Sequence, residues 1–156
     1  MKAMLFAVVA TLSTHALAAD SIYVSTELTR NGVVVDNFAG LTTGGSTLPH
    51  HNVELIKYRN GIVKGKVVMA ELELGTTASI TPVVTSDGSI LYRFDVDYIR
   101  LEKMIKADVG STYTEQPKTD GWKHAATDTI PNGGKREYKS FEDGIEYIYT
   151  VSATKQ

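Results

Sequence analysis

The 156-residue sequence contains no cysteine. That absence excludes a disulfide framework, a thiolate zinc site, an iron-sulfur cluster and a cysteine nucleophile. Charge of one sign is scarce too: 16 Lys and Arg stand against 18 Asp and Glu, a formal net charge of -2, which leaves no electrostatic footprint for nucleic acid. No apolar run approaches the ~20 residues of a membrane-spanning helix. What is present is a chain 42% hydrophobic with 13 glycines, six of them directly behind Asn or Asp. It is too apolar for disorder and too short for two ordinary domains, so one globular domain is expected.

The first residues read as a leader. Lys2 supplies a positive start, residues 3–12 an apolar core, and Ala16-Leu17-Ala18 a small-x-small cleavage site. Cleavage is placed between Ala18 and Ala19, with a periplasmic or secreted β-rich domain over residues 19–156. Removing Lys2 leaves 15 basic residues against 18 acidic ones. An exported domain without disulfides depends on its core, and the roughly 138 remaining residues are enough to form one.

Along that domain the period is two. Ile22, Val24 and Leu28 alternate up to Asn31-Gly32, after which Val33-Val34-Val35 resumes, the pattern of a hairpin with a tight type I′ turn. Asn60-Gly61, Asp87-Gly88 and Asp143-Gly144 predict three more hairpins, and Asp120-Gly121 and Asn132-Gly133 mark loops. Ile90, Tyr92, Phe94, Val96 and Tyr98 line one face of a strand whose other face carries Arg93, Asp95 and Asp97. Ile145, Tyr147, Tyr149 and Val151 repeat the device. Residues 103–134 read as a long polar loop, with a weak signal for a short helical turn over 101–107. The fold class predicted is all-β: an antiparallel sandwich or partly open barrel built from hairpins, with about seven or eight strands.

Chemistry-bearing patterns are few. His50-His51 are adjacent, so in extended backbone they point to opposite faces and chelate poorly; a solvated loop after Pro49 is expected. The segment 42–47 has neither nucleophile-elbow nor phosphate-loop spacing. Asp95 and Asp97 share a face with Arg93, which predicts a neutralised wet surface rather than an acid/base pair, and Glu71 and Glu73 are read the same way. No catalytic residue, metal ligand or cofactor is therefore assigned. The candidates for partner binding are the aromatics of the polar loop, Tyr113 and Trp122, with His124, and Pro82, since a proline within a strand belongs at an edge or a bulge. A Trp in such a loop also commonly plugs the end of a sandwich core.

Residues 75–91, with Thr81-Pro82 followed by Asp87-Gly88 and a second alternating strand, resemble the hairpins of secretin-type outer-membrane channel domains. Upstream, Thr26 to Arg30, Asn31-Gly32-Val33-Val34 and the small-residue turn at Gly44-Gly45 are loosely similar in order, so the likeness covers about residues 22–101 and leaves the last third unmatched. Secretins are far longer, carry mixed α/β modules and need membrane-facing hairpins, none of which is read here. The resemblance implies a small exported relative: a non-enzymatic interaction component of a secretion, pilus or conjugation apparatus, with a protein partner in the envelope, no nucleic acid and no membrane insertion by the mature chain. The alternative is a small periplasmic ligand-binding protein, enzyme inhibitor or hydrolase whose site forms only in three dimensions.

Overall fold

The computed structural model describes residues 20–156, so the leader and its cleavage at Ala18 and Ala19 lie outside the described residues. Eight strands follow one another: β1 (Ser21–Arg30), β2 (Val33–Thr43), β3 (Leu48–Val63), β4 (Lys66–Val84), β5 (Ile90–Val109), β6 (Thr112–Ile130), β7 (Lys135–Glu142) and β8 (Ile145–Lys155). They form two antiparallel sheets ordered β2-β1-β8-β7 and β3-β4-β5-β6. The predicted all-β sandwich is the fold, and the sheets do not close into a barrel. The chain's two ends build the first sheet, and everything from β3 to β6 is an insertion between its edge strands.

Period-two patterning explains how the sheets meet. Ile22, Val24 and Leu28 of β1 and Tyr147, Tyr149, Val151 and Ala153 of β8 face inward. Ala78 and Ile80 of β4 and Ile90, Tyr92, Phe94, Val96 and Tyr98 of β5 meet them from the other sheet. Trp122 and Ile130 of β6 complete this core. Three two-residue turns have the pair of positive φ angles a type I′ turn requires: Asn31-Gly32 at 48° and 75°, Lys64-Gly65 at 50° and 76°, Asp143-Gly144 at 49° and 79°.

The structure corrects the sequence reading in three places. The hairpin expected at Asn60-Gly61 turns four residues later, at Lys64-Gly65, and Asn60 sits instead in a register shift between Arg59 and Gly61. The polar stretch over 103–134 is mostly strand: β5 runs unbroken through the proposed helical turn to Val109, and β6 contains both Pro117 and Asp120-Gly121. His50 and His51 lie in β3 rather than in a loop.

The long sheet overhangs the short one. The β4–β5 ladder ends at Gly75↔Ile99, whereas β3–β4 and β5–β6 continue as two separate hairpin arms. The ten residues of β5 beyond Ile99 extend roughly 33 Å at about 3.3 Å per residue. Val53, Gly75, Ile99 and Gly121 stand side by side in one row across the four strands at this boundary. Both glycines in the row are required: Gly75 has φ +124°, and a Cβ there would meet the Asn52 carbonyl, while one on Gly121 would meet that of Tyr98. The row is the line along which the sheet bends from sandwich into arms.

Candidate functional site

The sequence candidates are dispersed rather than brought together. Trp122 and His124 project from β6 into the space between the sheets. Trp122 is 3% exposed, stacks against His124 (5.5 Å, 10°) and Tyr147 (5.9 Å, 10°), and donates its indole N–H to Ser140 Oγ on β7. The loop assignment that singled it out gives way to a core position, because Trp122, His124, Ala126 and Ile130 alternate inward on an ordinary strand. Pro82 is buried on β4 opposite Tyr92, two residues beyond the last β3 pair at Ile80. It therefore sits where β4 lacks its β3 neighbour, as its missing N–H requires, and Gly45 N–H donates to its carbonyl at 2.8 Å. Tyr113 alone lies on an arm, near the tip of β6, with the Arg59 guanidinium 4.3 Å and Lys106 Nζ 4.9 Å from its ring centroid.

A polar cluster that sequence reasoning missed ties the sheets together. Asp36 of β2, its side chain 3% exposed, accepts hydrogen bonds from His50 Nε2 (2.9 and 3.1 Å) and Asn52 Nδ2 (2.7 Å) of β3. Phe38 stacks on the His50 ring at 4.4 Å. An ionised carboxylate only accepts, so His50 carries its proton on Nε2. Losing a donor to a buried carboxylate costs about 1–3 kcal/mol, which makes this a structural tie between sheets. His51, on the opposite face, is exposed. The pair is separated by a turn and gives no local motif; its one signal is an acid at an inward position of β2.

Tyr149 lies beside this cluster with its hydroxyl buried and without a hydrogen bond of good geometry, although Thr26 is its polar neighbour. Burial pushes its pKa up to about 12, with Asp36 adding to the effect. An unfolded tyrosine ionises near pH 10, so the neutral hydroxyl's contribution to stability is intact below about pH 10 and is lost as pH rises towards about 12. Tyr149→Phe is expected to flatten the fall of the urea midpoint across that window relative to wild type. Identical slopes for the two proteins would show that Tyr149 does not titrate in this way. Tyr138, raised by burial and by its 2.7 Å hydrogen bond with Tyr92, contributes a loss common to both.

The outer face of the long sheet carries a shallow cleft of about 360 Å³ lined by Glu73, Thr77, Ser79, Asp95, Asp97 and Lys123. Lys123 Nζ pairs with Asp97 at 3.3 Å, so the expected neutralisation occurs, through β6 rather than through Arg93. Glu71 and Glu73 are exposed as expected, with Lys57 3.3 Å from Glu71. Among the described residues no three His, Asp or Glu side chains converge on a point that would hold a metal ion.

The most distinctive geometry is therefore at the margins of the long sheet. Strands β3 and β6, of 16 and 19 residues, each have a ladder neighbour on one side only. Each presents unpaired backbone groups along its other side.

This architecture is similar to that of a solved secretin domain. The cryo-EM structure of the secretin InvG of the Salmonella SPI-1 type III secretion injectisome matches 88% of this chain with a TM-score of 0.56 at 11% identity. The InvG secretin-domain β-barrel of the injectisome NC-base, and InvG in the basal body with PrgH and PrgK, match with the same score, coverage and identity. The chain spans 61%, 62% and 43% of those three chains, less than two thirds of each. No family model and no curated protein matches the sequence. The likeness is one of fold, and it reaches past residue 101 into the last third, where the sequence resemblance stops.

Proposed function

We propose that this chain is an exported, non-enzymatic β-domain that works in an envelope secretion, pilus or conjugation apparatus by edge-to-edge pairing with neighbouring protein chains. The single observation that carries the reading is the pair of open edges on the long sheet. β3 and β6 run antiparallel, so β6 of one copy laid beside β3 of the next continues an antiparallel ladder. Repetition about an axis closes such a sheet into a barrel and removes every edge. The InvG secretin domain is described as a β-barrel, which supports the same use here.

The domain begins at Ala19 in this reading, after a leader cut behind Ala18. A partner in the envelope is expected, as InvG stands with PrgH and PrgK in its basal body. Nucleic acid is not, given the net charge. The β5–β6 arm carries charge on both faces, Lys103 on one and Lys106 on the other, so it lacks the continuous apolar band that entry into lipid requires. A shallow, paired cleft without convergent acid or base groups argues against the hydrolase alternative.

The test is expression of the full chain with a C-terminal tag in a Gram-negative host. The expected result is a product in the envelope fraction whose N-terminal residue is Ala19 and whose gently extracted form shows ring-shaped multimers by negative-stain microscopy. A monomer retained in the cytosol with its leader intact would overturn the reading.

A further inference from the structure

At one point along its length the β3 edge is not left open in the single chain. Beyond the glycine row the two arms lean together so that β3 meets β6, without forming a ladder. Arg59 is at the centre of the contact. Its backbone N–H, pointing away from β4, donates to Glu115 Oε2 at 3.0 Å, and its Nη1 donates to Thr112 Oγ1 at 3.3 Å. Its guanidinium covers Tyr113, with Lys106 against the same ring. A carboxylate thus occupies a donor that a neighbouring strand's carbonyl would otherwise take, which is a recognised means of blunting a strand edge.

We infer that Arg59, Tyr113 and Glu115 form an autoinhibitory clasp that caps the β3 edge within one chain and must open before β6 of a second copy can pair there. The inference rests on the edge-pairing reading above. The occupant is a second copy because the clasp already shows the two edges to be complementary: they run antiparallel, and the cation and N–H of one meet the ring and carboxylate of the other. Exchanging that contact between copies is the logic of domain swapping. The clasp therefore sets the threshold for assembly.

Light scattering of the purified full chain over a concentration series tests this, with Glu115→Ala and Tyr113→Ala as clasp-opening variants. Their association midpoint is expected at least tenfold below that of wild type. Leu55→Pro serves as the block: outward N–H groups recur every second residue, so Leu55, like Arg59, directs its own away from β4, and a proline there removes it without a ladder bond being lost. Adding Leu55→Pro to either variant should abolish association over the series. As a second measurement, Arg59→Cys with Glu115→Cys joined by a short bis-maleimide should stay monomeric at concentrations where the unjoined pair assembles; the chain's lack of cysteine makes the linkage specific. If wild type assembles as readily as the variants and Leu55→Pro blocks both, the clasp is overturned and edge pairing stands. If nothing assembles at any concentration, both are overturned.

Discussion

Phe94→Ala should destabilise the domain by about 3–5 kcal/mol, the range for removing a fully buried aromatic side chain. Phe94 is 1% exposed and lies at the centre of the aromatic core, with ring centroids of Tyr138, Tyr149, His124 and Tyr92 at 4.8, 5.1, 5.7 and 6.3 Å. These neighbours come from β5, β6, β7 and β8, so the vacated space borders both sheets and cannot be filled by one local shift. Because total stability of a domain is only about 5–15 kcal/mol, the loss is a large fraction of it. Urea unfolding followed by Trp122 fluorescence measures it, as a lower midpoint at unchanged slope. A loss below about 1 kcal/mol would mean that the two sheets do not pack through this residue.

Gly75→Ala should be comparably severe for a different reason. At φ +124° an L-residue is in a region that glycine alone populates, which costs of order 1–3 kcal/mol before any contact is considered. The added methyl also meets the Asn52 carbonyl and the Val53 Cα, both backbone, so relief requires the β3–β4 ladder itself to move. About 3 kcal/mol or more is expected, with the disturbance centred on the row from Val53 to Gly121. Amide exchange should reveal it as lost protection in β3 and β4 around that row, with β1 and β8 little changed. Gly32→Ala is the control: its φ of +75° carries strain but nothing lies near its Cβ position, so its cost should stay local to the turn.

The sandwich and the strands of the β3–β4 arm were legible in the sequence and the β5–β6 arm was not, and the physical difference between them says why. Ile22 to Leu28, Ile90 to Tyr98 and Ile145 to Val151 have one dry face and one wet face, so burial imposes a period of two that can be read directly. Beyond Ile99 neither face of β5 is dry. Lys103, Lys106 and Glu115 fall on strands without an apolar side, and such a segment looks like a loop until its ladder is seen, whereas Ala70, Leu72 and Leu74 alternate with Glu71 and Glu73 and read as a strand. The Lys64-Gly65 turn was hidden by a stronger Asn-Gly signal four residues earlier, which the structure uses as a bulge. Asp36 with His50, and Arg59 with Glu115, join residues 14 and 56 apart in the chain. Contacts at such separations are set by topology, and no local spacing encodes them.

Both covalent crossings between the sheets, from Thr43 to Leu48 and from Ile130 to Lys135, leave the short sheet at the same end, one from each of its margins. At the other end no backbone crosses, and the sheets are held by Arg30 of β1 against Asp120 of β6 at 2.8 Å. In mechanical terms the sandwich is a spring clip, with a double hinge at one end and an ionic catch at the other. Arg100 approaches the same Asp120 at 3.6 Å from the root of an arm, so a pull on the arm loads the catch before it reaches the hinge.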